Sequence, residues 1–528
     1  MKWEILEKKS KDIKKTLLKN RNIKNEREFF NPPDPYTIQL KALGIKETAT
    51  KKAIDRIKFA KKHKEQVVVY GDYDADGICA TAILWEALHE YGLDVLPHIP
   101  DRFSEGYGIN ADSLINLKSK FINLGLIVTI DNGIVAYEGI KKAKELGIDV
   151  IVIDHHAKGT KKLGTSYILH STKVCGSGLA YFFAKELGHE GGLELAAIGT
   201  IADQMPLTGI NRSIVKYGLK ELENSKRPGL RELLMNAEVK KVGTYEVNYI
   251  IAPRLNAMGR LAHALDSLRL LCTKKEDKAQ ELSNLLTKTN LERQRIVDVV
   301  VKHTNESGVS ENKVIVLAHE SYHEGVIGLV AGKLVEEFYR PAIVISRGEK
   351  ISKASARSIS GFDIISTIRN LSHLILEGGG HPMAAGFTIE TKNIEKFTKE
   401  INKIADKLLT NELLEKKLKI DCEINFEEIN PELVEWVKAF EPFGNGNYPP
   451  VFVSHKIEIE NVRPVGTNGK HLKLKLKQNS ISFDAIWFNA TASISDLRSP
   501  ISIAFSIEEN VWQSQTTLQF KIKDIKTF

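Results

Sequence analysis

The sequence predicts an α/β fold, with two α/β domains joined by a long helix around a central cleft and a β-barrel at the C-terminal end. Three observations carry this reading. Short apolar runs such as Val67–Tyr70, Leu126–Ile130 and Val150–Ile153 alternate with stretches of helical spacing, the pattern of a mostly parallel sheet covered on both faces. Lys274–Lys313 is charge-rich, carries Leu282, Leu285 and Leu286 at helical spacing, and meets no breaker before Ser307-Gly308. Beyond Leu418 the period changes to two. Leu472-Lys473-Leu474-Lys475-Leu476-Lys477 alternates strictly, which turns leucines inward and lysines outward.

At 528 residues the chain is too long for one core, and two to four domains are expected. No apolar run approaches the ~18–20 residues of a membrane span. The first residues, MKWEILEKKSKDIKK, lack the apolar core of a signal peptide. Cys79, Cys175, Cys272 and Cys422 lie far apart with no CxxC pair, which disfavours a disulfide framework or a zinc site and fits a reducing cytoplasm. The expectation is a cytoplasmic protein with no membrane partner. A net charge of +8 permits a polyanionic partner without demanding one.

Residues 1–66 are lysine-rich and broken by Pro32, Pro33 and Pro35, with helical spacing over Ala49–His63. They read as a cover over the first core domain. Residues 67–210 form that domain, with strands at Val67–Tyr70, Val95–Ile99, Leu126–Ile130 and Val150–Ile153. Helices are expected at Ile78–Tyr91, Ala136–Leu146, Gly178–Leu187 and Leu193–Ala202. Its chemistry lies where the elements end. The first strand runs into GDYDADG, placing Asp72, Asp74 and Asp76 on alternate positions before Gly77 closes the turn. The third strand ends in Asp131-Asn132-Gly133, the fourth in Asp154-His155-His156, and the last helix in Asp203. Parallel strands share one carboxyl-terminal edge, so Asp72, Asp74, Asp76, Asp131, Asp154, His155 and His156 are expected to converge there. Taken singly, each is also readable as a surface turn or cap. Together, crowded carboxylates repel unless a cation neutralises them. Carboxylate mixed with imidazole suits manganese or magnesium in a shared-carboxylate, two-metal site. Arg102, in the Pro100–Asn110 loop, falls near the same edge.

Residues 211–313 read as a helical region plus the connecting helix. Within Ala252–Ala264, Arg254 and Arg260 flank Asn256 among alanines, leucines and a methionine, which is either a salt-bridged face or a phosphate contact. Residues 314–395 form the second α/β domain, with strands at Val314–Leu317, Pro341–Ser346 and Ile351–Ala356 and a helix at Val326–Phe338. Ser355 and Arg357 share a strand face, and the arginine fork matches phosphate. The glycine-rich turn Gly378–Gly380, with His381 and Gly386, lets backbone N–H groups approach a phosphate. Residues 396–417 read as a linker helix. Residues 418–528 form an OB-like barrel, whose Phe483, Trp487, Phe488, Trp512 and Phe520 are either core rings or a stacking platform for a single strand.

DYDADG (Asp72–Gly77), IDNG (Ile130–Gly133), DHH (Asp154–His156) and GTIAD (Gly199–Asp203) resemble the successive motifs of the DHH phosphoesterase superfamily. HEGVIGLVAGKL (His323–Leu334), SARS (Ser355–Ser358) and GGGHPMAAG (Gly378–Gly386) resemble the DHHA1 domain, and EPFGNGNYPPVF (Glu441–Phe452) resembles the entry to the C-terminal domain of the RecJ family. The similarity runs from about Asn31 to the C-terminus. It implies a single-stranded-DNA-specific 5′→3′ exonuclease of DNA repair and recombination, releasing 5′-mononucleotides with two Mn²⁺ or Mg²⁺ ions. By resemblance, Asp74, Asp76, Asp131, His155 and Asp203 bind the ions, with Asp131 bridging. His156 faces the scissile phosphate, and Asp154 orients the histidines from behind. Asp72 is either a ligand or a shaper of the loop. Tyr70 stands where some relatives carry a ligand histidine. Arg102, Arg260, Ser355, Arg357, Gly380 and His381 would hold the DNA end. A helicase or single-strand-binding protein is an implied partner. Two alternatives remain at this level. One is a DHH/DHHA1 phosphodiesterase of short oligonucleotides or cyclic dinucleotides, which needs no β platform. The other is a non-catalytic replisome scaffold, whose acidic motifs would be degraded.

Overall fold

The computed structural model describes residues 1–307, 311–466, 469–490, 497, 499–512 and 515–527, so Gly308 and the side chain of Trp512 lie outside the described residues. The chain forms two compact units. One comprises Ile38–Asp203 and Tyr217–Lys416, and the other Met1–Thr37, Gln204–Lys216 and Lys417–Phe528.

In the larger unit, the first sheet is five-stranded and wholly parallel. Its spatial order is Asp94–His98, Gln66–Tyr70, Leu124–Ile130, Asp149–Asp154, Tyr167–His170. In chain order this is 2-1-3-4-5. The direction of winding reverses between the first and third strands, and a crevice opens at their carboxyl ends. Sequence spacing found four of these strands. The fifth has only four residues at the sheet edge, and nothing in its alternation marks it. The core is aliphatic, with Val68, Ile127, Val150 and Val152 all buried.

The 32-residue helix Glu276–Ser307 leads to a mixed sheet. Its order is Ile375–His381, Ala384–Glu390, Ile351–Arg357, Ala342–Ser346, Ile315–His319. Val297 and Val300 near the end of the helix pack with Ile315 and Val330 of this second domain. Two expectations change here. Gly378–Gly380 is not a turn but part of a strand, paired antiparallel with Ala385–Phe387. Gly380 has φ +144°, and a Cβ there would collide with the Ala384 carbonyl, so the hairpin demands glycine. The helix Ile394–Leu408 is not a linker, because Phe397, Ile401 and Ala405 complete the core of this domain.

In the smaller unit, Phe452–Val465, His471–Gln478, Ile481–Trp487, Gln515–Thr527 and Ile501–Trp512 pair in that order, and the last closes on the first. A closed five-stranded barrel of this kind has no free edge. Leu472, Leu474 and Leu476 are buried, as the alternation requires. The aromatic residues divide. Trp487 and Phe520 are core, Phe483 packs against them, and Phe488 remains 45% exposed. The N-terminal region, expected as one cover segment, divides between the units, with Met1–Thr37 in the smaller one. Lys2–Ile5 pairs in parallel with Lys417–Ile420, and Leu17, Leu18 and Phe29 enter the barrel core. Burying these residues removes apolar surface that the small barrel alone has too little volume to cover. From Ile38 onward the chain belongs to the larger unit, where Ser171 Oγ donates to the Leu43 carbonyl at 2.8 Å and the helix Glu47–His63 buries Ala53, Ile57 and Ala60.

Candidate metal centre and phosphate-binding cleft

The aspartate turn is built by its own hydrogen bonds. Asp74 is the N-cap of helix Ala75–Glu90, its Oδ1 accepting from Gly77 N at 2.9 Å, so the helix starts three residues before the apolar periodicity does. Asp76 therefore lies in the first helical turn. Its carboxylate accepts from Gly176 N (2.7 Å) and Ser177 N (3.0 Å), at the amino-terminal end of helix Gly176–Glu186. Free N–H groups and the helix dipole both favour a negative charge there. Asn132 Nδ2 donates to the carbonyls of Tyr70 (3.1 Å) and Ile130 (2.9 Å), tying together the two strand ends that flank the crevice. Asp131, between them in sequence, has φ +62°, a conformation a non-glycine residue adopts at a cost of about 1–3 kcal/mol.

The motif residues converge. His155 Nε2 lies 3.0 Å from Asp131 Oδ1, 3.8 Å from Asp203 Oδ2 and 3.9 Å from Asp76 Oδ2. Three sets of donor atoms, each within 4.8 Å, share this volume: Asp131 with His155 and His156, Asp76 with His155 and Asp203, and Asp72 with Asp74 and Asp131. Burial, then the neighbouring carboxylates, raises Asp131 far above the carboxylate range and Asp203 to about 8. Asp72 is raised in the same way, by burial and then Asp74. Burial lowers His155, which keeps its imidazole neutral and its lone pair available. Asp131 Oδ1 is buried with no hydrogen-bond donor, although His155 Nε2 stands close by. Two lone pairs aimed at one point, inside a ring of carboxylates, fit divalent cations and little else.

Asp154 lies behind this group. It accepts from Ile134 N (2.9 Å) and His156 N (3.0 Å), and its Oδ1 is 2.8 Å from His156 Nδ1. That contact fixes the ring and leaves Nε2 for a ligand. Burial opposes a charge on His156, but the bond to Asp154 outweighs it and raises the imidazole. Asp72 belongs to one of the donor sets, and its Oδ1 accepts from Tyr73 N at 2.7 Å, which shapes the loop. Tyr70 is in neither place. It is fully buried, and its hydroxyl donates to the Gly108 carbonyl at 3.1 Å.

Tyr73 of the aspartate turn also lines a cleft of about 650 Å³, together with Arg102, Tyr107, Arg260, Ser355 and Arg357, among others. Arg102 stacks over the Tyr73 ring at 4.9 Å. Arg260 Nη1 donates to the Gly325 carbonyl at 3.3 Å. Arg357 Nη1 donates to Ser355 Oγ (3.3 Å) and to the Ala356 carbonyl (2.8 Å). Among the described residues, none of the three guanidinium groups pairs with a carboxylate. Burial, then repulsion from Arg102, Arg293 and Arg357, lowers Arg260 to about 9. Half-buried cations held together without an ion-pair partner are chemically suited to an anion. Gly378 and Gly379 line this cleft, whereas Gly380 and His381 follow at the hairpin end, opposite Ala385 and Ala384. Arg254 turns back to the Ile250 carbonyl at 2.8 Å. It lies six residues from Arg260, so the two project from different faces of the helix.

Several residues that build the site carry no mark in the sequence. Gly176 admits Asp131, because a Cβ there would stand 2.5 Å from Asp131 Oδ1. Asn256 Oδ1 accepts from Ala75 N at 2.8 Å, fastening one helix to the aspartate turn. Its odd polarity was visible, but its partner, 181 residues away, was not. Glu105 holds the Arg102 loop through His98 Nε2 (3.1 Å), Asp101 N (3.1 Å) and the Ser113 hydroxyl. Tyr107 donates to the Asp131 carbonyl at 3.3 Å and links the two walls.

Residues 66–205 match the DHH family N-terminal domain, residues 311–407 the DHHA1 domain, and residues 420–524 the RecJ OB domain. The chain is similar to proteins named single-stranded-DNA-specific exonuclease RecJ. Identity to that of Thermus thermophilus is 31%, over 93% of this chain and 72% of the relative. To that of Haemophilus influenzae it is 30%, over 97% and 95%. The chain belongs to the RecJ family. The RecJ of Bacillus subtilis is 36% identical over 93% of this chain, which spans 64% of that protein's length. Among solved structures, Thermus thermophilus RecJ in complex with Mn²⁺ superposes with a TM-score of 0.86 at 27% identity, covering all of this chain and 79% of the other. The Mg²⁺ complex of the same RecJ gives 0.79 at 26% identity, covering all of this chain and 78% of the other.

Proposed function

We propose that this RecJ-family chain is a single-stranded-DNA-specific exonuclease that hydrolyses phosphodiester bonds from the 5′ end with two Mn²⁺ or Mg²⁺ ions and releases 5′-mononucleotides. The observation that carries it is the closeness of two groups of opposite charge. The acidic cluster centred on Asp131 lies within electrostatic reach of Arg102 and Arg260, and Tyr73 of the aspartate turn lines the cleft that holds both with Arg357. The relatives' names support the nucleic-acid class, and the separate structures of Thermus thermophilus RecJ with Mn²⁺ and with Mg²⁺ support the choice of metal.

Asp74, Asp76, Asp131, His155 and Asp203 would hold the ions, which when bound activate water and offset charge developing on phosphorus. The chain's own groups do the rest. Arg102, Arg260 and the Ser355–Arg357 pair hold the terminal phosphate, fixing how far the strand enters. His156, oriented by Asp154, donates to the scissile phosphate. Tyr107 holds the backbone of Asp131 in its strained position. No described helix is long and apolar enough to cross a membrane. The four cysteines are unpaired, in keeping with a reducing cytoplasm. A helicase, or a protein that coats single strands, would supply the unpaired substrate.

The test is digestion of a long single strand labelled at either end, with Mn²⁺ or Mg²⁺, beside Asp131→Ala. Release of the 5′ label as mononucleotide, lost in the variant by on the order of 10³-fold or more, is the expected result. Loss of the 3′ label first would reverse the polarity, and turnover of dinucleotides alone would point to a short-substrate phosphodiesterase.

A further inference from the structure

Tyr245 and Tyr249 are among the most exposed large side chains in the larger unit, at 60% and 66%. Their rings lie 4.8 Å apart with planes 36° from parallel. They stand on one face of a continuous helical stretch, Thr244–Leu261, whose other face is anchored by the buried Val247 and Ile251. That stretch is widened into a π turn over Val247–Ile251. Pro253 has no N–H to return to the Tyr249 carbonyl, and the Arg254 guanidinium Nη1 donates to the neighbouring Ile250 carbonyl. Such turns are frequent at functional sites. Exposed Lys240 and Lys241 precede the pair. The nearby carboxylate of Glu246 is engaged by Gly243 N at 2.9 Å.

The helix serves as a ruler. Arg260 lines the phosphate cleft, and Asn256, about 6 Å back along the axis, holds the aspartate turn at Ala75. Tyr249 lies roughly 10 Å further in the same direction, and Tyr245 another ~6 Å. The order along one rigid element is therefore terminal-phosphate pocket, metal turn, exposed ring pair. We infer that Tyr245 and Tyr249 form a stacking platform for the bases of a single strand on the 3′ side of the bond being cut. This rests on the reading of the cleft given above. Basic neighbours and continuity with the cleft favour nucleic acid over a protein partner. Aromatic faces accept any base, so the platform adds affinity without sequence preference.

The test compares Tyr249→Ala, the double variant Tyr245→Ala/Tyr249→Ala and Tyr249→Phe with the wild type on a long single-stranded DNA and on a dinucleotide. The thermal midpoint of each variant is checked against the wild type. KM for the long strand rises about 5- to 150-fold in the alanine variants. Their kcat, their KM for the dinucleotide and their thermal midpoints stay unchanged, and Tyr249→Phe restores wild-type behaviour. Equal effects on both substrates, or none, overturn the platform. So does sedimentation showing that the wild type self-associates, the variants are monomeric and KM is unmoved, because the face is then an interface between copies. Wild-type digestion of the long strand separates the two readings. With it intact and the variants unchanged, only the platform falls; without it, the reading of the cleft falls and the platform with it.

Discussion

The acidic turn and the arginine wall are opposite in sign but share one problem, since each holds like charges together at depth. They solve it differently. The carboxylates are fixed by backbone. Asp76 takes two helix N–H groups, Asp74 caps its own helix, and Asp131 sits in a strained turn against Gly176. The guanidinium groups are held at the ends of long side chains, by carbonyl oxygens and an aromatic ring. A metal site tolerates little displacement, whereas a phosphate pocket of flexible arms can adjust. The difference teaches that rigidity is spent where the geometry of bond breaking is set.

The same substitution on either side separates the two cases. In Gly176→Ala the added methyl would stand 2.5–2.6 Å from Asp131 Oδ1, Cβ and Cγ, atoms close to the backbone that have nowhere to move. Mn²⁺ affinity falls, and the metal-dependent rate drops about 100-fold or more, as read by metal titration and by label release. A wild-type affinity would show that Asp131 is not fixed. The second contrast is pH dependence without metal. Asp72, Asp131 and Asp203 all titrate above the usual carboxylate range, Asp203 at about 8. Between roughly pH 4, where unfolded aspartate ionises, and pH 8, the native state binds more protons than the unfolded one. Metal-free stability therefore declines as pH rises through that window. Arg260, at about 9, contributes nothing to the slope below that. Thermal midpoints across pH 4–8 check this. Asp203→Asn should flatten the slope, and added Mn²⁺ should stabilise more as pH rises, because its ligands bind deprotonated. The smallest effect is Gly328→Ala on the basic side. Its methyl would meet Ser355 Oγ at 2.9 Å and Arg357 Nη2 at 3.1 Å, the movable ends of side chains. KM for the strand rises no more than about fivefold, the ~1 kcal/mol of a displaced rotamer, with Mn²⁺ affinity unchanged.

How much could be read beforehand differs between the walls for the same reason. The acidic residues each follow a strand or helix that hydrophobic spacing exposes, and parallel strands must deliver their ends to one edge. Asp72, Asp74, Asp76, Asp131, Asp154 and His155 were therefore placed by local pattern and one topological rule, whereas Asp203, at the end of a helix, was joined to them through the resemblance of its motif. The basic wall gathers residues from an interstrand loop, a helix and a second sheet, and only Ser355 with Arg357 share a local period. His381 and Gly380 show the limit, since a glycine run reads as a turn until Ala384–Glu390 is known to pair beside it. The N-terminal segment shows it again, because no local pattern tells which core Leu17 and Phe29 will enter.

The sequence by itself determined most of the element types, the parallel first sheet, the long helix, the alternating barrel strands and a crowding of carboxylates that calls for a cation. These follow from periods of 2 and 3.6 residues and from charge crowding within a few positions, which are local quantities. Only the tertiary structure decided that Gly176 makes room for Asp131, that Asn256 clamps the aspartate turn, that Tyr70 faces the core and that two exposed tyrosines lie in line with the cleft. Those are contacts between segments far apart in the chain. They are settled by packing and by pairing buried polar groups across the fold, which no window of sequence contains.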